Sequence, residues 1–139
     1  MPVDSMDGFI QDRKTAHDAL GIELVEANLD KVVVKAPVTW KVHQPMGLLH
    51  GGVSALMAES AASIGASLNV LPEKVAVGIE LNASHLRSIT EGIVFATATP
   101  LRKGRSVHVW KVSVTDEFDK LICEARCTLA VIDNPTRNS

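Results

Sequence analysis

The chain has 139 residues, 46% of them hydrophobic and 22% charged, with a formal net charge of -2. That is long enough for one domain with a proper core and too apolar for a disordered chain. No basic run is long enough to follow a phosphate backbone, which excludes nucleic acid as the main partner.

In chain order, residues 5–20 are expected to form an amphipathic helix, with Met6, Phe9, Ile10, Ala16 and Leu20 at helical spacing and Gly21 as its stop. Ile22 to Ala27 and Leu29 to Val38 read as a hairpin around Asn28 and Asp30. A polar loop, Thr39 to His50, leads into a long helix from about Gly52 to Asn69, broken by Leu71-Pro72-Glu73. Four strands should follow. In the first, Val75, Val77, Ile79, Leu81 and Ala83 alternate with Ala76, Gly78, Glu80 and Asn82 along its whole length. The others are Ile93 to Pro100, Val107 to Thr115, and a run in which Leu121, Cys123, Ala125, Cys127, Leu129 and Val131 share a face. Helices combined with a mostly antiparallel sheet make an α+β domain. A single domain over 1–139 is expected, with its core at about 8–132.

The stretch Val53 to Leu71 carries Glu59 and five Ser or Asn residues, so it is no membrane span. Met1-Pro2-Val3-Asp4 lacks the parts of a signal peptide, and Thr136 to Ser139 is no peroxisomal address, so a cytoplasmic location is the expectation. Cys123 and Cys127 fall on one strand face but about 13 Å apart, too far for a disulfide, and read as small buried hydrophobes. The five His have no paired spacing and no Cys partner, so no metal site is expected.

Chemistry concentrates around the long helix. It is made almost wholly of Ala, Ser, Leu, Met and Ile, which marks it as buried, and Glu59 is the one carboxylate within it. A buried acid must be paired, neutralised or useful. Gly51-Gly52 opens the helix and lets a substrate approach the bare N–H groups of the first turn, where the dipole adds roughly half a positive charge. The Gly51 N–H can bind a carbonyl oxygen as it becomes an oxyanion. Gln44 and His50 can donate to that carbonyl or position the loop, whereas His43 reads as a solvated loop residue. Ser63, four residues after Glu59 on the same face, can orient the carboxylate or simply pack. Ser54 and Ser60 fall on other faces and read as packing.

Glu59 lies about 10 Å along the helix axis from Gly52, too far for one chain to bring both to one small group. A complete site is therefore expected to take His50 and the helix N-terminus from one subunit and Glu59 from another. The polar strand end Asn82 to Ser88, with His85, Leu86, Arg87 and Ser88, and the basic turn Lys103, Gly104, Arg105 and Ser106 both suit phosphate contact, or are solvated turns.

Gln44-Pro45-Met46-Gly47-Leu48-Leu49-His50-Gly51-Gly52 with the acid at Glu59, and Ile79-Glu80-Leu81-Asn82-Ala83-Ser84-His85-Leu86-Arg87-Ser88, resemble the hotdog-fold acyl-CoA thioesterases. The resemblance is to the branch of Arthrobacter-type 4-hydroxybenzoyl-CoA and 1,4-dihydroxy-2-naphthoyl-CoA thioesterases. It implies a long central helix wrapped by the sheet, dimers joined sheet edge to sheet edge and often paired into tetramers, and a site between subunits. It implies Glu59 as nucleophile or general base, Gln44 and His50 as positioning residues, Gly51 as carbonyl polariser and Ser63 as an assistant to Glu59 or a water. His85, Arg87 and Ser88 would hold the CoA end, and Gly52, Gly78 and Leu86 complete the substrate-contacting set. CoA is then part of the substrate and no cofactor is needed. The expected reaction is hydrolysis of an acyl-CoA, an aromatic one first. The alternatives are a hotdog hydratase or dehydratase, whose His-bearing loop has a different make-up, and a non-catalytic acyl-CoA sensor, which would gain nothing from the acid.

Overall fold

The structure, a computed structural model, describes residues 14–136. The elements are α1 (Ala16–Leu20), β1 (Glu23–Asn28), β2 (Lys31–Pro37), a single 3-10 turn (Trp40–Val42), α2 (Gly51–Leu68), β3 (Lys74–His85), β4 (Ile93–Lys103), β5 (Val107–Asp116) and β6 (Leu121–Asp133). This matches the expected order element by element. The part of the expected first helix before Lys14, with Met6, Phe9 and Ile10, lies outside the described residues. Gly21 does end α1, in the left-handed region at φ 74° that favours glycine.

The strands form one antiparallel sheet in the order β1-β2-β4-β5-β6-β3, so β1 and β3 are its edges. Alternation sends Val32, Val34 and Ala36 of β2, Val94, Ala96 and Ala98 of β4, Trp110, Val112 and Val114 of β5, and Cys123, Ala125, Cys127 and Leu129 of β6 into the core. Helix α2 lies against them and contacts all six strands, the arrangement expected of a hotdog fold.

The helix comes close because its sheet-facing residues are small. Ala58, Ala61, Ala62 and Ala66 are fully buried, and Gly65 sits against the Trp110 ring. A Cβ at Gly65 would lie 2.6 Å from two ring carbons of an indole that is itself fully buried. That indole donates from Nε1 to His108 Nδ1 at 3.1 Å, and the two rings stack with 8° between planes. Burial, with some help from the Lys103 charge, lowers the His108 pKa below its ordinary value, which favours the neutral acceptor the tryptophan needs.

Strand β3 departs from the expected alternation. Gly78 pairs with Leu129 and Glu80 with Thr128, which leaves Ile79 as an extra residue in a bulge. The side-chain period therefore slips by one there. Ala76 and Gly78 face the helix before the bulge, whereas Leu81 and Ala83 are the half-buried residues after it.

Cys123 and Cys127 are free, buried and on one face of β6, as read from the sequence. Burial pushes the Cys127 thiol up to about 12, aided by the charges of Glu59 and Glu80. Burial likewise raises Cys123, with a contribution from Glu124. Both thiols thus stay protonated near neutral pH and are poor nucleophiles.

Two outcomes follow. A Gly65→Ala variant gains helix propensity but must displace a buried indole, so it should be less stable by about 1–2 kcal/mol in urea unfolding. An unchanged or higher midpoint contradicts the packing described. Thiol titration with a disulfide reagent at pH 8 should find no fast-reacting group in the folded protein and two after denaturation. Fast reaction of either cysteine in the native state contradicts their burial.

Candidate functional site

The loop before α2 is built by its own polar groups. Gln44 Oε1 accepts from the Met46 N–H and, at 3.4 Å, from the Leu48 N–H, while the Gln44 N–H donates to Leu48 O at 2.8 Å. Gly47, at φ 80°, allows the tight turn. His43 Nε2 lies 2.9 Å from Thr90 O, the His50 N–H donates to Val42 O and the Leu49 N–H to Ile89 O. His43, read as a solvated loop residue, is thus a half-buried tie that fastens the loop. Because Gln44 uses its oxygen within the loop, its amide nitrogen is left as a donor; among the described residues it bonds to nothing.

His50 is the N-cap of α2. Its Nδ1 accepts from the Gly52 N–H at 2.8 Å, which puts the neutral ring's proton on Nε2. The Val53 and Ser54 N–H groups donate to His50 O. Among the described residues the Gly51 N–H donates to nothing, so it is the free donor of this helix end. No acidic residue stands in the first turn to offset the positive end of an 18-residue helix.

A cavity of about 380 Å³ opens at that end. It brings together Gln44, Gly51, His85, Leu86, Arg87 and Ser88, six of the expected residues, walled by Leu48, Leu49, Ser54 and Ile122. The His85 ring lies directly over Gly51, where a Cβ would meet Nε2 at 2.9 Å. Arg87 is exposed, and its charge reaches Asp116, whose pKa is lowered chiefly by the Lys120 and Phe118 N–H bonds and further by Arg87.

Glu59 and Ser63 lie elsewhere, in a second cavity of about 420 Å³. The expectation of a buried acid is corrected here: Glu59 is exposed in this single chain. The physical reason is that the sheet leaves one stripe of α2 open. Gly52, Leu56, Glu59 and Ser63, spaced four, three and four, are all exposed or half-buried, whereas ten other helix residues are buried. The Glu59 side chain rests on Gly78, where an added Cβ would collide with its carboxylate. Gly78 therefore serves the acid by being small.

Sequence reasoning missed two residues of this cavity. His17 of α1 reaches across to Ser60, with Nε2 2.8 Å from Oγ. Ser60 is thus no mere packing residue. No local signal could have shown this, since the two are 43 residues apart. Ser54, in contrast, is buried as read.

The basic turn does not join either cavity. Val107 pairs with Ala130, which pairs with Val77, whereas His85 sits at the Cys123 and Val114 end. Seven residues of β6, Ala130 to Cys123, separate those levels, about 23 Å. Lys103 is ion-paired with Asp30 at 2.7 Å, and Gly104 and Ser106 shape the turn through bonds to Val107 O and from the Val131 N–H. Within one chain, Lys103, Gly104, Arg105 and Ser106 are therefore apart from His85 to Ser88. Among the described residues no three His, Cys, Asp or Glu side chains gather as a metal would need, and no helix is long and apolar enough to cross a membrane.

The geometry has relatives. Residues 46–127 match the profile of the thioesterase superfamily. The chain is 50% identical over 114 residues to the 1,4-dihydroxy-2-naphthoyl-CoA hydrolase of Listeria monocytogenes, covering 82% of this chain and 93% of that one. It is 37% identical over 128 residues to the Escherichia coli protein of the same name, covering 92% and 87%. A crystal structure of a Haemophilus influenzae thioesterase superposes with a TM-score of 0.85 at 38% identity, covering 92% of this chain and 88% of that one.

Proposed function

Because the chain belongs to the thioesterase superfamily, a hotdog-fold enzyme family, we propose that it hydrolyses an aromatic acyl-CoA to the free acid and CoA. The first candidate substrate is 1,4-dihydroxy-2-naphthoyl-CoA, the compound in the names of two relatives, which would give the enzyme a place in quinone biosynthesis and in the cytoplasm. 4-Hydroxybenzoyl-CoA and phenylacetyl-type esters come next.

The observation that carries this reading is the cavity at the helix N-terminus. It holds a free Gly51 N–H, the Gln44 amide and the His85, Arg87 and Ser88 side chains in one place. A thioester carbonyl bound there meets a donor and an uncompensated helix dipole as its oxygen gains charge. Gln44 and His50 hold the loop and the N–H in position. His85, Arg87 and Ser88 offer the donors that a CoA phosphate takes.

Glu59 then supplies the attack, either directly on the carbonyl carbon or by taking a proton from water that attacks it. In the first route an anhydride forms and CoA thiolate leaves, and water then cleaves the anhydride. In the second the water adds directly and thiolate leaves. Ser63, one turn on, would hold the carboxylate or the water. Neither route calls for a cofactor.

A second subunit completes the site. β3 is a twelve-residue edge with exposed Val77 and Ile79, and among the described residues no strand pairs with it on that side. Joining two such edges antiparallel would bring one subunit's open helix stripe towards the other's helix end. Glu59 would be covered in the process, which restores the desolvated acid that the sequence leads one to expect. Pairing of two such dimers is the assembly we favour.

Replacing Glu59 by Gln keeps the shape and removes both nucleophile and base. Release of free thiol from an aromatic acyl-CoA should fall by several orders of magnitude in that variant, with the melting temperature little changed. Retention of more than about a tenth of the rate, roughly 1.4 kcal/mol in barrier, overturns the role given to Glu59. An enoyl absorbance change without thiol release from the wild type would instead favour a hydratase.

A further inference from the structure

The cavity beside Glu59 has a neighbour. A smaller cavity of about 130 Å³ lies under α1, lined by Ile22, Leu24 and Val34 together with the polar Thr15 and Asp18. His17 and Ile64 line both cavities. These two side chains are therefore the partition between them. Ile64 is fixed in the core of α2, but His17 comes from a five-residue surface helix, and among the described residues its side chain makes one bond, to Ser60 Oγ at 2.8 Å. The position of α1 is set in turn by Thr15, whose N–H donates to Asp18 Oδ2 at 2.9 Å and whose hydroxyl accepts from the His17 N–H at 3.2 Å.

We propose that His17, latched to Ser60, is the specificity-determining end wall of the acyl cavity, and that it limits the acyl group to compact ones by closing off the partly aliphatic space behind it. The inference rests on the acyl-CoA hydrolase reading and adds to it which residue sets acyl size. The space behind the wall offers a hydrocarbon tail the aliphatic side chains of Ile22, Leu24, Val34 and Ile64, beside the polar Thr15 and Asp18, and it is large enough for a few methylene groups. With the imidazole in place, a flat ring fits beside Glu59 and a straight chain meets the partition. Without it the two cavities run together into one longer channel.

The test compares wild type, His17→Ala and His17→Phe on a series from butanoyl-CoA to dodecanoyl-CoA and on benzoyl-CoA. Opening the wall should raise kcat/KM for the longer chains about tenfold relative to benzoyl-CoA, chiefly through KM, since two or three more methylenes are buried. His17→Phe keeps a ring at the partition and should keep the wild-type order of preference. A profile unchanged in His17→Ala, or one common factor lost on every substrate, overturns the proposal. Binding of S-alkyl-CoA thioethers of the same lengths, read by calorimetry, repeats the comparison without turnover. Should the wild type release thiol from no ester, the hydrolase reading has failed, and the thioethers decide the wall alone: affinity that grows with length only in His17→Ala supports it, and no such growth, or no binding, overturns it.

Discussion

Helix α2 has to meet the sheet along its alanine and glycine face, because the Trp110 indole fills the space against Gly65 and leaves no room for a side chain. That contact fixes the rotation of the helix. At about 100° per residue, Glu59 then points some 120° away from Gly65, out along the stripe that no strand covers. The bulge at Ile79 turns β3 so that Gly78, and not a larger side chain, lies beneath the carboxylate. The direction of the one acid of α2 is thus a consequence of core packing. The same seating sets the distance to the helix end. Glu59 and the Gly51 N–H lie on one rigid rod and cannot approach each other, whatever the loops do.

The loop end of that rod is arranged as a donor site. Its polar groups are spent on holding the backbone: the oxygen of Gln44 within the turn, Nδ1 of His50 on the Gly52 N–H, and the ring of His43 on Thr90. The groups left unspent are donors. Two of them, the Gln44 amide nitrogen and the Gly51 N–H, belong to residues lining a cavity that Arg87, just past the end of β3, also lines. An anionic, carbonyl-bearing ligand fits such a place, and an acyl-CoA is one. The acid stands in a different cavity, among Leu56, Ile64, Ala76, three serines and His17. The two halves are complementary in charge and separated in space, which is what a site shared between subunits requires of each.

Much of this was legible in the sequence because it is local. The strands announced themselves by alternation, α2 by its composition, and the loop by Gly47, Gly51 and Gly52. The cavity at the helix end gathers Gln44, Gly51 and His85 to Ser88 from the two short motifs, but not His50, Gly52 or Glu59. What was not legible depends on contacts between distant segments. The bulge in β3 breaks an alternation that the sequence shows as unbroken, because Ile79 and Glu80 carry no sign of which is the extra residue. The pairing of Lys103 with Asp30 joins residues 73 apart and occupies a charge that local reading left free for phosphate. His17 meets Ser60 only because α1 folds back over α2. The exposure of Glu59 reflects the uncovered stripe of a single chain, and a composition cannot tell a stripe buried by its own sheet from one left for a partner.

The central claim, a site divided between two chains, is tested most directly by mixing two variants, His50→Ala and Glu59→Ala, each inactive alone. Their subunits are exchanged by mild unfolding and refolding, and exchange is confirmed with mass-tagged protein. A mixed dimer then holds one doubly damaged site and one intact site. Thiol release from an aromatic acyl-CoA should recover to a substantial fraction of the wild-type rate. No recovery after proven exchange would place His50 and Glu59 in the same chain's site and contradict the account.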